Sequence, residues 1–286
     1  MSLKTEAIFK ECVVEQNWDA YTQVDHKTWA ELFARMSALL PTRMCQDFLA
    51  GLKDLKLTPD RVVNFDVLSE TLTQRTGWKY VAVNGFIPNN QFFALLANRC
   101  FPSSRVMRDP DGLVYQESPD IFHDVFGHAP LLMNPVIADF MQAFGAAGVA
   151  CKSELGQQML ARLYWFTVEV GLVREGSGLK AYGAALASSE KELTFSLTDS
   201  SPNRLGFDQK RVVRTPYFID DLQETYFVVD TLDQVLALAE NGFSGTLNMG
   251  SPGPDITRGA LIESDLVISR GNQRYQIEFG KHGVAA

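Results

Sequence analysis

A single carboxylate, Glu169, lies inside the apolar run LYWFTVEVGL at residues 163–172. The helix predicted around it, over residues 157–173, is apolar around nearly its whole circumference, so we expect it to be buried. An ionised carboxylate in such a place requires a partner, because its lost hydration is otherwise uncompensated. Whatever fold this chain adopts must therefore bring a cation, a metal or hydrogen-bond donors to Glu169.

Two of the four histidines, His123 and His128, lie in the segment PDIFHDVFGHAP at residues 119–130. Residues five apart on an ideal α-helix point about 140° away from each other, so a straight helix would not aim both rings at one ion. Asp120 can serve as N-cap of a short helix that carries His123. Gly127 and Pro130 can end or loosen that helix at His128, which would let the second ring swing toward the first.

Two imidazoles and one carboxylate form a metal-ligand set. When they occupy one face of the ion and leave the opposite positions open, they suit ferrous iron that must bind oxygen beside a substrate. The same ligands also serve zinc, where a metal-bound water acts in hydrolysis. Each residue taken alone has an ordinary structural explanation: Glu169 can pair with Arg162 on the same helical face, and a histidine packs without any metal.

Composition excludes several function classes. With 286 residues and 46% hydrophobic content, the chain can bury a large core as one large domain or one domain with a small appendage. A net charge of −8 offers no footprint for nucleic acid or an anionic membrane. No segment reaches transmembrane length, and the polar start lacks a secretory signal, so we expect a cytoplasmic protein. The four cysteines are too widely separated for zinc or redox pairs and are expected to be reduced.

Apolar periodicity predicts a mainly α, α+β protein with helices first and short strands later. The helices are expected at residues 28–40, 42–55, 63–74, 89–100 and 232–240. The strands are expected at residues 78–83, 212–219 and 225–229. Residues 266–268 and 275–279 flank RGNQ at 270–273 and predict a C-terminal β-hairpin, and SPGPD at 251–255 is expected to be a linker or an ordered turn.

The chain resembles the pterin-dependent aromatic amino acid hydroxylases, and within that family the bacterial phenylalanine 4-hydroxylases. The resemblance rests on residues 119–130, on YWFTVE at 164–169 and KAYGA at 180–184, and near the start on YT at 21–22, His26, TW at 28–29 and LLP at 39–41. It covers approximately residues 18–239. It implies a single helical catalytic domain with His123, His128 and Glu169 as iron ligands.

The resemblance also implies the reaction. Such enzymes use Fe(II), O2 and a tetrahydropterin, here tetrahydrobiopterin or a bacterial analogue, to hydroxylate L-phenylalanine to L-tyrosine. Hydroxylation of tyrosine or tryptophan is the alternative, followed by a zinc hydrolase with the same ligands and by a catalytically silent binding protein. An arene oxidation needs no protein nucleophile, which agrees with a sequence that shows no Ser-His-Asp signature.

Cofactor-binding positions follow from the resemblance. Gly85 and Ile87 match the pterin-binding loop, and Phe92 matches the ring on which the pterin stacks, although an aromatic on a helix at 89–100 is equally a core residue. Asp124 matches a carboxylate that meets the pterin through water, although an acidic residue in a first helical turn is also ordinary.

Substrate-binding positions are implied in the same way. Arg108 matches the arginine that holds the substrate carboxylate, a role suited to a planar, always charged donor, with Asp120 orienting it. The other matching positions are Gln116, Pro119, Trp165, Ser188 and Ile219. Two of the local residues depart from the family pattern: Gln116 stands where animal members have threonine, and Val170 replaces a phenylalanine.

Substrate choice follows from two of these positions. Tryptophan hydroxylases have phenylalanine at the position of Trp165, which disfavours an indole substrate. Ile219 matches an aliphatic position of phenylalanine hydroxylases, and an apolar wall leaves a phenolic hydroxyl without a partner.

The expected organisation is a catalytic, iron- and pterin-binding domain at residues 1–242 and a tail at 243–286 packed on the same domain. The regulatory domain and the heptad-bearing C-terminal helix of animal members have no counterpart in the sequence, which predicts a monomer. The expected partner is a small molecule rather than nucleic acid or a membrane.

Overall fold

The computed structural model describes residues 3–85, 87–113 and 119–280, with side chains from Ile8 onward. Its α-helices are α1 Leu3–Cys12, α2 Gln23–Arg43, α3 Gln46–Leu55, α4 Phe65–Thr76, α5 Asn89–Ala97, α6 His128–Leu132, α7 Pro135–Ala150, α8 Glu154–Tyr164, α9 Ala184–Ser188, α10 Glu190–Thr198, α11 Gln209–Val212, α12 Leu232–Leu236, α13 Ser244–Leu247 and α14 Arg274–Glu278. Turns of 3₁₀ helix lie at Trp18–Ala20, Pro110–Gly112 and Ala237–Ala239, and π-helices lie at His123–Gly127 and Trp165–Glu169.

The strands form two sheets. They are β1 Val13–Val14, β2 Lys79–Val83, β3 Cys100–Ser104, β4 Leu172–Glu175, β5 Gly178–Ala181, β6 Asn203–Gly206, β7 Thr225–Val229 and β8 Val267–Ser269. The three-stranded sheet has the order β1-β2-β3, and the five-stranded sheet has the order β5-β4-β7-β6-β8. Both sheets are mixed, since β2 and β3 run parallel and β4, β6 and β7 run parallel, while the edge strands β1, β5 and β8 are antiparallel to their neighbours.

The expected mainly helical α+β architecture is confirmed, and local signals explain where several helices begin. Thr22 and Asp25 form a reciprocal capping box at the start of α2. The Asn64 side chain accepts hydrogen bonds from two backbone N–H groups at the start of α4, which ends at Gly77 with φ 78°. The predicted helices at 28–40, 42–55, 63–74 and 89–100 correspond to α2, α3, α4 and α5. Their bounds differ by a few residues.

The core lies between the helices and both sheets. Its largest fully buried side chains include Trp29, Trp78, Phe122, Phe126 and Tyr226. The edge of Trp29 packs on Phe122 at a centroid distance of 5.2 Å, and Phe122 stacks on Phe126 at 4.7 Å. The segment that carries the two candidate histidines is therefore anchored in the core by its own phenylalanines. Among the described residues, no helix is both long and apolar enough to cross a membrane.

The predicted strands had mixed outcomes. The strand at 225–229 is β7, and the one at 78–83 contains β2. The strand predicted at 212–219 is wrong, because Asp208 caps the short helix α11 and the chain then turns. The Thr215 hydroxyl donates to the carbonyl of Arg211 at 2.7 Å, and Pro216 offers no N–H to a ladder. The β-branched residues Val212 and Val213 are buried as core residues of a turn, not of a sheet.

The predicted C-terminal hairpin is also wrong. β8 pairs with β6, and residues 274–278 form the helix α14. In a helix, residues four apart share a face while the residue between them points away. Tyr275 and Phe279 accordingly lie together, with ring centroids 5.9 Å apart, and Ile277 is 77% exposed. The apolar residues of YQIEF alternate with polar ones, as in a strand, but the first and the last are also four residues apart, as on one face of a helix.

The C-terminal residues make polar contacts with the body of the protein. Asp255 binds Arg162 through two hydrogen bonds of 2.6 and 2.8 Å, and Arg214 Nε donates to the Pro254 carbonyl at 2.8 Å. Asp265 binds Arg211 at 2.8 Å, and Phe243 is fully buried. The division of the chain after residue 242 stays a prediction.

Candidate metal centre

Three side chains from two separate segments of the chain converge in the interior. His123 Nε2 lies 3.6 Å from Glu169 Oε2, and His128 Nε2 lies 3.3 Å from Glu169 Oε1. One ligand atom from each residue lies within 4.8 Å of those of the other two, and the imidazole rings are perpendicular at 89°. The side chains are at most 14% exposed. Two nitrogens and a carboxylate thus point at one small volume.

The histidines converge because the chain between them is a π-helix. Asp120 starts this segment, since its Oδ1 accepts from the His123 N–H at 2.9 Å, in agreement with the expected cap. The hydrogen bonds of a π-helix run between residues five apart, which brings such residues back toward one face. Of the two expected outcomes, that the helix ends or loosens at His128, the structure shows the second: the helix widens and then continues as α6.

Glu169 is placed by a second π-helix. α8 ends at Tyr164, the π-helical turn covers Trp165–Glu169, and β4 begins at Leu172, so the helix predicted over residues 157–173 stops short. Within residues 157–170 the expected burial is found at most positions, and Gln158 is the one exposed residue. Both halves of the candidate site therefore depend on a widened helical turn.

The backbone at the start of α9 packs closely against both π-helices. A Cβ added to Gly183 would lie 2.2 Å from the carbonyl oxygen of Glu169. A Cβ added to Gly127 would lie 2.6 Å from the carbonyl oxygen of Ala184. Neither contact can be made by a larger residue unless the backbone shifts, because the neighbouring atoms are main-chain atoms.

Ser188, at the end of α9, determines the tautomer of His123. Its Oγ lies 2.9 Å from His123 Nδ1, and its hydroxyl donates to the carbonyl of Ala184 at 2.9 Å. Because the hydroxyl proton is used there, the serine oxygen accepts from Nδ1–H. Nε2 of His123 then carries a lone pair that faces Glu169, the arrangement typical of metal-binding histidines.

Burial and the mutual charges adjust the pKa values of the cluster. Burial is the main reason that the pKa of His123 falls to about 4, so its imidazole is neutral at ordinary pH. Burial also acts to raise the pKa of Glu169, but the attraction and hydrogen bond of His128, together with His123, outweigh it and leave that pKa lowered. A neutral imidazole and an ionised carboxylate are the forms that bind a metal.

Glu169 keeps one oxygen without a partner. Its Oε2 is buried and makes no hydrogen bond to any described residue. The structural alternative, an ion pair with Arg162, does not form, because Arg162 binds Asp255 and the carbonyl of Val213. An orphaned carboxylate oxygen beside two imidazole nitrogens fits a divalent metal, which would satisfy all three atoms at once.

Two predicted positions lie beside the cluster on the side of α5 and β3. Asp124 is buried, its Oδ2 accepts from the Ser104 N–H at 2.6 Å, and its Oδ1 lies 4.0 Å from His123 Nε2. Burial raises the pKa of Asp124 to about 7. Phe92 is half-buried and packs on the edge of Tyr164 at 5.6 Å. Gly85 is exposed with φ 60°, and Ile87 is half-buried.

The predicted substrate-binding positions have different environments. Arg108 is buried, and its Nε and Nη2 donate to the two oxygens of Asp120 at 2.8 and 2.7 Å. Trp165 stacks on Tyr217 at 4.6 Å with an interplanar angle of 13°. Pro119 is exposed and Ile219 is 46% exposed. Gln116 lies outside the described residues.

The family model for biopterin-dependent aromatic amino acid hydroxylases matches residues 16–248. The chain belongs to this family. The phenylalanine-4-hydroxylase of Ralstonia nicotianae is 46% identical over 260 residues, which cover 91% of this chain and 83% of the relative. That of Caulobacter vibrioides is 42% identical over 273 residues, which cover 96% of this chain and 93% of the relative.

Solved structures show the same fold. The Chromobacterium violaceum phenylalanine hydroxylase with bound oxidised Fe(III) superposes with a TM-score of 0.86 at 42% identity, covering 94% of this chain and 100% of that one. A structure of the same enzyme with iron(III) and 7,8-dihydrobiopterin has a TM-score of 0.82 at 42% identity, covering 94% and 99%. The expected family membership and fold are confirmed.

Two residues of this hydroxylase were missed by the sequence reasoning as parts of the site. Tyr164 lies between Phe92 and His128, and its buried hydroxyl has no partner among the described residues. Tyr217 forms a stacked wall with Trp165, in the segment that was predicted as a strand. Tyr164 had a signal, since it lies five residues before Glu169. Tyr217 had none, because its contact with Trp165 is purely tertiary.

Proposed function

We propose that this chain is a non-haem iron monooxygenase that hydroxylates L-phenylalanine to L-tyrosine with a tetrahydropterin and O2. One oxygen atom enters the aromatic ring and the other goes to the pterin, which supplies two electrons. The observation that carries the proposal is the convergence of His123, His128 and Glu169 with an unpartnered carboxylate oxygen, in a chain of this family.

The three converging residues would hold the iron on one face. When bound, ferrous iron supplies the redox chemistry that activates O2 beside the substrate. Ser188 keeps the lone pair of His123 directed at the metal position, and Glu169 contributes the negative charge. The aromatic residues around the site exclude water from the reacting groups.

The pterin would bind on the side of Phe92. Support comes from the matching positions Gly85, Ile87 and Phe92, and from the half-buried ring of Phe92 next to Tyr164. A flat heterocycle gains about 1 kcal/mol from stacking on such a ring beyond its burial. Asp124 lies close enough to the cluster to meet the pterin through a water. The pterin itself is tetrahydrobiopterin or a bacterial analogue.

Arg108 would bind the substrate carboxylate. Asp120 accepts hydrogen bonds from the Nε edge of the Arg108 guanidinium. Nη1 of Arg108 makes only a long contact of 3.5 Å to the Gly112 carbonyl among the described residues. A guanidinium has five N–H donors, so the remaining ones are available for a carboxylate. Asp120 thus orients a cation that keeps free donors.

The aromatic ring of the substrate would face Trp165 and Ile219, with Pro119, Ser188 and Gln116 as further pocket positions. The stacked Trp165–Tyr217 pair provides an aromatic wall. The aliphatic side chain of Ile219 favours phenylalanine, because it offers a phenolic hydroxyl no partner.

Anaerobic reconstitution with ferrous iron tests the function directly. Addition of phenylalanine, tetrahydrobiopterin and O2 should then yield tyrosine in step with pterin oxidation. Parallel samples with tyrosine or tryptophan as substrate, and with zinc as the metal, test the alternatives. A zinc-loaded enzyme that turns over without O2, or a preference for tyrosine or tryptophan, would overturn the assignment.

Competition between phenylalanine and tyrosine tests the substrate wall. Ile219→Asp should lower kcat/KM for phenylalanine relative to tyrosine, since a carboxylate near an apolar ring is costly to desolvate. An unchanged ratio in a variant that folds and binds iron would remove Ile219 from the pocket.

We also propose that the enzyme acts as a monomer in the cytoplasm. The four buried free thiols fit a reducing compartment. Size-exclusion chromatography with light scattering measures the oligomeric state, and fractionation of cells that produce the protein measures the compartment.

A further inference from the structure

A narrow apolar cavity of about 40 Å³ lies behind His128. Its lining includes His128 and Val168, and the latter is the residue directly before Glu169. Ile137 and Met141 of α7 and Leu232 and Leu236 of α12 also line it. Its lining includes none of the positions that are proposed to bind the amino acid or the pterin.

The lining makes the cavity a poor site for water. Its wall is almost wholly apolar, with His128 and Tyr182 as the residues that carry polar side-chain atoms. An ordered water needs two to four polar partners, so cavities of this kind stay dry and take up apolar molecules or xenon. A cavity of roughly 10–15 Å³ is large enough for one water molecule, so this cavity has room for a diatomic gas.

The position of the cavity suits a gas that must reach the metal. Leu232 and Leu236 are half-buried, so the part of the cavity that they line lies close to the surface, and His128 of the candidate metal centre forms another part of its wall. O2 is apolar and favours such a cavity over water. Ionic and polar substrates favour water over such a cavity.

We propose that this cavity is a binding and delivery site for O2, on a route separate from the amino acid and pterin positions. This inference rests on the proposed function, because only an O2-consuming enzyme needs such a site. O2 binds beside His128 and then reaches the metal position through small movements of the side chains around Val168. The amino acid and the pterin can then fill their own pockets without blocking it.

Xenon provides a test that does not depend on turnover. Crystals of the iron-loaded enzyme should show a xenon atom between α7 and α12 after pressurisation. Leu232→Ala, which enlarges the cavity, should raise the xenon occupancy. A cavity that stays without xenon, in both the wild-type enzyme and Leu232→Ala, would overturn the proposal.

Steady-state kinetics at varied O2 provide the second test. Leu236→Phe fills the outer part of the cavity and should raise KM for O2 several-fold, with KM for phenylalanine and kcat at saturating O2 unchanged. Leu238→Phe is the matched control, because Leu238 lies two residues farther along and does not line the cavity. An unchanged KM for O2 in Leu236→Phe, or an equal rise in the control, would also overturn the proposal.

The outcomes separate this inference from the proposed function. If the wild-type enzyme forms no tyrosine, the proposed function fails whatever xenon shows. If it forms tyrosine and xenon is absent, only the O2 site fails. Should Leu236→Phe not fold, Leu232→Ala decides the matter through its xenon occupancy.

Discussion

The Arg108–Asp120 pair and the Arg211–Asp265 pair are both buried, with side chains at most 4% exposed, but they lie in different parts of the molecule. The first lies beside the candidate metal centre. The second joins α11 to the C-terminal residues. Asp120 also caps the helical segment of His123, whereas Asp265 also accepts from the Ile262 N–H.

The difference lies in the donors that remain. Arg211 uses all three guanidinium nitrogens in bonds of 2.8 Å, to Asp265, Thr215 and the Ala260 carbonyl. Arg108 uses one edge on Asp120 and keeps Nη1 almost free among the described residues. A guanidinium that is saturated, in the sense that each of its three nitrogens makes a short bond within the protein, holds structure together, and one with a nitrogen left over can bind a ligand. The identity of the ion pair alone does not distinguish the two roles.

The largest expected effect separates the metal centre from the rest of the chain. His123→Ala, His128→Ala and Glu169→Ala should each abolish iron binding and tyrosine formation, while circular dichroism shows the helical fold intact. Apo Glu169→Ala should be at least as heat-stable as apo wild-type protein, because it lacks an isolated buried charge. His26→Ala is the control and should keep its iron. Stoichiometric iron in any one ligand variant would remove that residue from the set.

Breaking the saturated pair should act on stability alone. Asp265→Ala leaves Arg211 buried without its partner and is expected to cost about 3–5 kcal/mol in the free energy of unfolding. Urea unfolding measures the loss, and the folded fraction should keep its kcat. Asp230→Ala, at an exposed pair with Arg174, should cost at most about 1 kcal/mol. Equal losses in both variants would contradict the structural role of Asp265.

A buried carboxyl near the C-terminal residues should make stability depend on pH. Burial raises the pKa of Glu192 from 4.5 to about 7, and its Oε1 accepts from the Tyr226 hydroxyl at 3.1 Å. Folding therefore favours the protonated form. The stabilising contribution is complete below pH 4.5 and is lost as the pH rises through 7, by at most about 3 kcal/mol.

Glu192→Gln tests this dependence. The variant mimics the neutral carboxyl and should be more stable than wild-type protein at pH 8, with a flatter stability profile between pH 5 and 8. Glu190→Gln, at a half-exposed position on the same helix, is the control and should follow the wild-type profile. A variant of Glu192 with the same slope as wild-type protein would assign the pH dependence to other groups.

Loss of the unsaturated arginine should act on substrate binding. Arg108→Ala should lower kcat/KM for phenylalanine by a factor that corresponds to about 1.5–3 kcal/mol of lost transition-state stabilisation, the worth of a hydrogen bond to a charged group. KM for the pterin should stay nearly unchanged. Arg108→Lys should not restore activity fully, because an ammonium lacks the two-pronged geometry. Arg105→Ala, which loses a bond to the Glu15 carbonyl, serves as control. A phenylalanine dependence equal to wild type would leave Arg108 with a purely structural role.

The smallest effect concerns the backbone packing of the metal side. Gly183→Ala places a Cβ against the Glu169 carbonyl and should cost about 1–3 kcal/mol, together with weaker iron binding. Gly178→Ala has nothing within 4 Å and should be neutral. Calorimetry and iron titration of both variants measure the contrast. A neutral Gly183→Ala would show that α9 does not hold Glu169 in place.

Local signals made much of the fold predictable. Helix periodicity located α2 to α5, and β-branched and aromatic content located β2 and β7. The Asp120 cap was also predictable, since an aspartate before a helix accepts from backbone N–H groups within three residues. Each of these features depends on neighbours in sequence.

The wrong predictions share a cause. Residues 212–219 and 275–279 have apolar patterns that suit either a strand or a turn of helix, and only their packing decides between them. Periodicity allowed Arg162 to pair with Glu169, but its partner, Asp255, comes from 93 residues away. A charged side chain pairs with an opposite charge that lies near it in the folded protein, however far apart the two residues are in sequence.

The sequence by itself determined the family, the residue types of the candidate metal centre and most of the early helices. Only the tertiary structure decided that both ligand-bearing segments widen into π-helices, that Ser188 sets the tautomer of His123, and that one oxygen of Glu169 is left without a partner. The physical reason is that a widened turn and an orphaned charge are locally unfavourable. They persist because α9, the sheets and the core packed around them hold the backbone in place.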